Sequence, residues 1–194
     1  MIGRLAGTLL VKAPPALLVD VGGVGYELEA PLSTFYHLPA VGAPVVLHTH
    51  LVVREDAQLL YGFGTEAERA LFRQLLKVSG VGAKLALVIL SGVSADELAA
   101  IIADADPARL VRIPGIGRKT AERLILELRE PLGRMMSASA TVTTPRADAA
   151  GDAAAALEAL GYKPAEVRAA LRDLPADASS EDLIRAALKR LMRN

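Results

Sequence analysis

Val78-Ser79-Gly80-Val81-Gly82-Ala83-Lys84-Leu85-Ala86 returns 35 residues later as Ile113-Pro114-Gly115-Ile116-Gly117-Arg118-Lys119-Thr120-Ala121. Both glycines, the lysine and the final alanine match, and each copy lies between two stretches of helical periodicity. After the second copy, Ala121, Leu124, Ile125 and Leu128 fall at i, i+3, i+4 and i+7, one face of a helix. The glycines allow positive φ and let a ligand approach the backbone with no Cβ in the way. Val81 and Ile116 are expected to point inward and pin each hairpin between its two helices. Backbone N–H groups of the hairpin and of the following first helical turn then converge outward, where the helix dipole also favours an anion. Lys84, Arg118 and Lys119 add full charge beside that nest. The expected ligand is a phosphate, and the candidate binding residues are Gly80, Gly82, Lys84, Gly115, Gly117, Arg118, Lys119, Thr120 and Arg123. One glycine pattern is equally well a tight inter-helix turn; two in-frame copies with lysine at the same offset favour function. Nothing in the motif reaches a base edge, so binding should be largely independent of DNA sequence.

Outward from this repeat the texture changes twice. Residues 64–133 read as an all-α region holding two helix–hairpin–helix motifs. Thr65-x-x-Glu68 and Ser94-x-x-Glu97 are capping boxes, Asp106-Pro107 is an N-cap with proline at the first helical position, and Pro131 and Gly133 are expected to close the region. Upstream, residues 1–63 carry five runs rich in Val, Leu and Tyr bounded by Pro and Gly: Ile2–Val11, Ala16–Val21, Val24–Ala30, Val45–Val53 and Gln58–Phe63. Five short strands suit a small closed barrel, of which the OB-fold is the commonest five-stranded form. Downstream, residues 134–151 have no apolar period and read as a flexible linker. Residues 152–194 read as a three-helix module. Its first helix runs to Leu160 and stops at Gly161, the second starts at Pro164 and the third follows Ser179/Ser180. Leu157, Leu160, Val167, Leu171, Leu183, Ile184, Leu188 and Leu191 are its expected core.

Composition narrows the function classes. The 194 residues include no cysteine, which excludes disulfides and thiolate metal sites. Formal net charge is zero, but it divides unevenly: 3 Lys/Arg against 5 Asp/Glu through Phe63, 11 against 9 from Gly64 to Arg134, and 8 against 8 beyond. The apolar stretch from Leu9 to Val21 is broken by Lys12, Pro14, Pro15 and Asp20, so no membrane span or secretory leader is expected, and a cytoplasmic location follows. Gly117-Arg118-Lys119-Thr120 resembles the end of a nucleotide-binding P-loop, but Arg118 interrupts the required Gly-Lys-Thr and Arg112 occupies the position of the first glycine. An ATPase is therefore not expected. His48 and His50 share a strand face without a third ligand at suitable spacing, which disfavours zinc. Tyr26, Phe35, Tyr36, Tyr61 and Phe63 fall largely at core positions of an acidic barrel, which argues against a single-strand-binding groove. Glu55 and Asp56, between two strands, read on their own as a solvated hairpin tip, with a metal-binding or catalytic carboxylate pair as the alternative.

The chain resembles the RuvA family, the Holliday-junction-binding subunits of the bacterial branch-migration complex. The resemblance runs nearly the whole length and is carried by Met1-Ile-Gly-Arg-Leu5, Val21-Gly-Gly-Val-Gly-Tyr26, Val52-Val-Arg-Glu-Asp-Ala-Gln-Leu-Leu-Tyr-Gly-Phe63, Lys84-Leu-Ala-Leu87, Pro114-Gly-Ile-Gly117, Lys119-Thr-Ala-Glu-Arg-Leu-Ile125 and Ala159-Leu-Gly-Tyr162. It implies a non-catalytic, cofactor-free subunit of recombination, DNA repair and the SOS response to DNA damage. The family forms a homotetramer, one or two per junction, with the OB barrels at its centre and four-way junction DNA spread open across it. Glu55 and Asp56 then match the family's acidic pin at the crossover. The C-terminal module docks the hexameric ATPase RuvB, here with Leu171, Leu183, Ile184 and Leu188 as candidate contacts, and the resolvase RuvC can share the junction. The alternative of a different class is a structure-specific nuclease or accessory subunit using Glu55 and Asp56 for a metal.

Overall fold

A computed structural model describes residues 1–140, 149–172, 174–175 and 178–192. Five strands, β1 (Arg4–Ala13), β2 (Ala16–Val21), β3 (Val24–Glu29), β4 (Pro44–Val53) and β5 (Gln58–Phe63), close into a barrel in the order β1-β2-β3-β5-β4. All pairings are antiparallel except β3 with β5, where Glu29 faces Tyr61. β1 serves two neighbours: Arg4–Thr8 pairs with β4, and Thr8–Ala13 pairs with β2 across a register shift between Leu9 and Val11. Where β1 passes from one neighbour to the other, Gly7 lets β2 approach closely. A Cβ on Gly7 would stand 2.0 Å from the Asp20 carbonyl oxygen.

Leu9, Leu17, Val19, Leu28 and Leu47 fill the barrel. Phe35 joins them from α1 (Leu32–His37), a helix the β reading of residues 1–63 missed. Its Ser-Thr-Phe-Tyr-His composition has weak helix propensity and its Pro31 N-cap contributes no side-chain bond, so its tertiary contacts hold it in place, the buried Phe35 and Thr34 first among them.

Helices α2 (Glu66–Leu75), α3 (Ala83–Gly92), α4 (Ala95–Ala103), α5 (Pro107–Val111) and α6 (Arg118–Ala140) follow. The Ser94–Glu97 capping box is complete, and Asp106 caps the Ala108 N–H ahead of Pro107. The one at Thr65 is half made. Thr65 Oγ1 accepts from the Glu68 N–H, but the Glu68 carboxylate turns to the Gly64 N–H (3.0 Å) and the Thr34 hydroxyl (3.1 Å) instead, strapping α1 to α2.

The 63/64 boundary drawn from sequence is not a boundary in packing. Phe72 of α2 lies against Tyr61 and Phe63 of β5, with ring centroids 5.1 and 4.8 Å away, and all three belong to the helical core. Polar ties reinforce the joint. The Leu32 N–H donates to Ser91 Oγ at 2.9 Å, and the Arg69 guanidinium donates to the carbonyls of Gly3 and Thr49 and to Glu66. Arg73 Nε donates to His50 Nδ1 at 3.3 Å; burial first, then Arg73 and Arg69, hold the His50 pKa below its ordinary value, which keeps the ring a neutral acceptor. Residues Met1–Ser139 accordingly form one compact unit.

Pro131 does not end the helical region. α6 runs through it to Ala140, because Leu128 and Leu132 on either side of the proline are both buried in the same core and offset the missing backbone bond. Of the linker expected over 134–151, residues 134–140 and 149–151 are helical, and 141–148 lie outside the described residues.

Ala140–Asn194 forms the second unit, with α7 (Ala149–Ala159), α8 (Pro164–Leu171) and α9 (Ser180–Leu191). Leu157, Val167 and Ala187 are fully buried in its core, and Leu171, Ile184, Leu188 and Leu191 are partly so. Leu160 is a correction: it is 64% exposed, since the helix has already ended at Ala159 and the following turn carries the side chain outward.

The close approach at Gly7 yields a stability test. Gly7→Ala should force β1 and β2 apart and destabilise the first unit by about 3 kcal/mol, in the upper range for overpacking a core. It should appear as a lower urea midpoint for loss of barrel structure.

Candidate nucleic-acid interface

The first hairpin joins α2 to α3, the second joins α5 to α6, and the two have the same internal geometry. The Val81 N–H donates to the Val78 carbonyl at 3.0 Å, and the Ile116 N–H donates to that of Ile113 at 3.1 Å. One step on, the Ala86 and Ala121 N–H groups donate to the Gly82 and Gly117 carbonyls, each at 2.9 Å. Gly80 and Gly115 both have φ +87°, a conformation side chains other than glycine resist. Val81 and Ile116 are buried as expected, at 6% and 4% exposure.

Gly82 and Gly117 are glycines for a different reason. Neither has positive φ, and a Cβ on either would meet nothing within 4 Å. The fold makes no demand for glycine there, so what the missing side chain leaves open is the outside of the hairpin. Among the described residues nothing accepts the N–H groups of Gly82, Ala83 and Lys84, or of Gly117, Arg118 and Lys119. Three outward donors at a helix N-terminus make an anion nest.

Lys84 and Lys119 are exposed and form no ion pair among the described residues. Arg118 is also exposed; its Nε donates to Glu122 Oε1 at 3.1 Å, a surface pair that a phosphate can readily displace. Thr120 sits half-buried in the first turn of α6. Arg123 points elsewhere than the hairpin that precedes it: its Nη1 donates to Ser79 Oγ of the first hairpin at 3.3 Å. The Ser79 N–H donates to Glu127 Oε2 at 3.4 Å. Neither Ser79 nor Glu127 stands out in the sequence. Their only trace there is that Ser79 aligns with Pro114 where the two repeats otherwise agree closely. The second hairpin also lies close to α3 of the first motif: a Cβ on Gly115 would stand 3.2 Å from Leu85 Cδ1.

Glu55 and Asp56 are both exposed at the turn from β4 to β5, which the Arg54 N–H closes on the Ala57 carbonyl at 2.8 Å. His48 Nδ1 lies 3.0 Å from Glu66 and His50 meets Arg73, so the two histidines serve the joint between barrel and helices. Among the described residues no group of three or more His, Asp or Glu could hold a metal ion, and no single helix is long and apolar enough to cross a membrane. In the second unit Leu183 is 3% exposed. Leu171, Ile184 and Leu188 keep part of their surface in solvent.

Comparison with known proteins matches three family models in chain order: "RuvA N terminal domain" over residues 1–62, "SAM-like Helix-hairpin-helix tandem" over 72–130 and "RuvA, C-terminal domain" over 148–192. Curated relatives match end to end. A protein of Thioalkalivibrio sulfidiphilus is 57% identical, with 100% of both chains covered. One of Leptothrix cholodnii is 58% identical over 98% of this chain and 99% of its own, and one of Methylococcus capsulatus is 55% identical over 100% of both. Each is named "Holliday junction branch migration complex subunit RuvA".

Because the surroundings of Gly82 and Gly117 are empty, valine at either position should keep the fold, at a cost of about 1 kcal/mol where Gly82 caps α3, while screening the nest from a phosphate. Gly82→Val and Gly117→Val should each weaken DNA binding. Lys84→Ala and Lys119→Ala should weaken it equally on all sequences and flatten the slope of log affinity against log salt, by about one unit for each phosphate no longer neutralised. Weaker binding at an unchanged slope would show that these lysines do not touch phosphate.

Proposed function

The chain belongs to the RuvA family, and from that premise we propose that it binds four-way DNA junctions as a non-catalytic subunit in branch migration during recombination and repair. The observation that carries the reading is the pair of equivalent hairpins, each with three unpartnered backbone N–H groups and an exposed lysine. Such a site recognises the sugar–phosphate backbone and no base, which suits a protein that must hold DNA while its sequence slides past. Two fixed nests per protomer grip one duplex arm, and a homotetramer presents four such grips to the four arms of an open junction.

Glu55 and Asp56 are the acidic pin of this assembly. One exposed carboxylate repels a phosphate ~7 Å away by roughly 0.6 kcal/mol at the dielectric of water. Several brought together at a partly enclosed crossover multiply that, excluding backbone from the centre and directing separated strands into neighbouring arms. The C-terminal module carries neither a glycine hairpin nor an excess of basic charge, and its role is to dock RuvB, whose ATP hydrolysis supplies the work. Leu171, Ile184 and Leu188 offer the partly exposed apolar surface for that contact, while Leu183 is buried and offers none. RuvC shares the junction, and the whole complex acts in the cytoplasm.

A native gel-shift tests the core of this reading: a synthetic four-way junction should be bound far more tightly than linear duplex or single strand of the same sequence. Divalent-metal-dependent cleavage of the junction would instead identify a nuclease. A chain ending at Ala140 should keep junction affinity and lose RuvB-driven migration; loss of junction binding would place the DNA surface elsewhere. Glu55→Lys with Asp56→Lys should raise duplex affinity more than junction affinity, because repulsion that acted mostly on the wrong substrate becomes attraction. An unaltered junction-to-duplex ratio at fixed salt would show that the pair takes no part in selectivity.

A further inference from the structure

The two nests carry one lysine each at the same offset, Lys84 and Lys119, but their surroundings differ at three matched positions. Arg118 opens the helix after the second hairpin, and 35 residues earlier that position is Ala83. Arg123, farther along the same helix, corresponds to Val88, and Ser79 corresponds to Pro114, which has neither hydroxyl nor N–H. These differences compensate one another in space. Arg123 reaches across from the second motif to the first hairpin, where its Nη1 donates to Ser79 Oγ at 3.3 Å and lies 4.0 Å from the place a Cβ on Gly80 would occupy. Glu127, one turn beyond Arg123 on α6, accepts from the Ser79 N–H at 3.4 Å. One bond to Ser79 leaves the five-donor guanidinium with donors to spare.

We propose that the first phosphate site is composite, built from both motifs. The first hairpin supplies the N–H groups of Gly82, Ala83 and Lys84 and the Lys84 ammonium, and α6 of the second motif supplies the Arg123 guanidinium. Ser79 and Glu127 are positioning residues that hold this guanidinium beside Gly80. Each nest then has two cations, Lys84 with Arg123 and Lys119 with Arg118, by different routes from unlike sequences. The first site is complete only while the two motifs stay docked, so the spacing between the two grips is part of the binding site itself. The inference rests on reading the hairpins as phosphate sites.

Double-mutant cycles on the full chain, with a synthetic four-way junction titrated at several salt concentrations, test it. Arg123→Ala should weaken binding about ten-fold, the effect expected for one charge-assisted hydrogen bond, and flatten the salt slope by about one unit. Its effect should shrink in a Lys84→Ala background, since both address one phosphate, and persist in full beside Lys119→Ala. Ser79→Ala should weaken binding with the salt slope kept, and Ser79→Thr, which retains the hydroxyl, should restore it. Coupling of Arg123 to Lys119 rather than Lys84, equal coupling to both or neither, or a Ser79→Ala protein with unchanged affinity would each overturn the composite site. Gly82→Val separates the two levels: if it leaves junction affinity intact, the phosphate reading of the hairpins fails and the composite site with it. If it weakens binding while the coupling pattern is wrong, only the composite site fails.

Discussion

The geometry of both hairpins depends on two buried side chains, Val81 and Ile116. Each is worth about 2 kcal/mol in removing its apolar surface from water, and each sits between two glycines. With the middle residue drawn inward, the flanking backbone faces outward, so the N–H groups of Gly82–Lys84 and Gly117–Lys119 cannot find partners inside the protein. A buried donor left unpaired would be costly, but at the surface it is satisfied by water or by an anion. Hydrophobic burial thus orients the polar groups of the candidate site.

That orientation is passed on to the rest of the first unit through a continuous core. Phe72 packs on Tyr61 and Phe63 of the barrel, and its helix ends one turn before Val78, where the first hairpin begins. The acidic turn at Glu55 and Asp56 connects the same two strands that meet α2, β4 through His48 and His50 and β5 through Tyr61 and Phe63. Barrel and hairpins are therefore parts of one packed body. The function proposed above has the acidic and basic surfaces act on one DNA molecule at once, and it depends on this joint: if the joint gave way, their relative placement would go with it. Arg69, Glu68 and Ser91 tie the joint with bonds between residues 20 to 66 apart in sequence.

The two motifs have diverged where the fold does not constrain them. Positions that pin the hairpins are alike in both copies: Val78 and Ile113, Val81 and Ile116, Ala86 and Ala121 are all buried. The outward positions differ, as at Val88 against Arg123, both exposed. Surface substitutions of this kind cost little stability, which leaves charge free to be redistributed so long as each nest retains enough of it.

The sequence by itself determined what depends on local chemistry. Both hairpins, the Ser94 and Asp106 caps, five strands of the barrel and the starts of α8 and α9 follow from glycine, proline and capping residues acting on their near neighbours, and so they were legible. The glycine spacing and the nearby lysine of each hairpin were legible for the same reason, because they are local facts. Only the tertiary structure decided matters that turn on distant partners. α1 forms despite poor helix propensity because the barrel buries Phe35. α6 passes through Pro131 because Leu128 and Leu132 bind one core. Glu68 abandons its capping box for Thr34, 34 residues away, and Leu160 turns outward because its helix ends one residue early. Arg123 meets Ser79 across 44 residues, a contact no periodicity announces, since the energy that places it comes from the docking of two motifs rather than from either one.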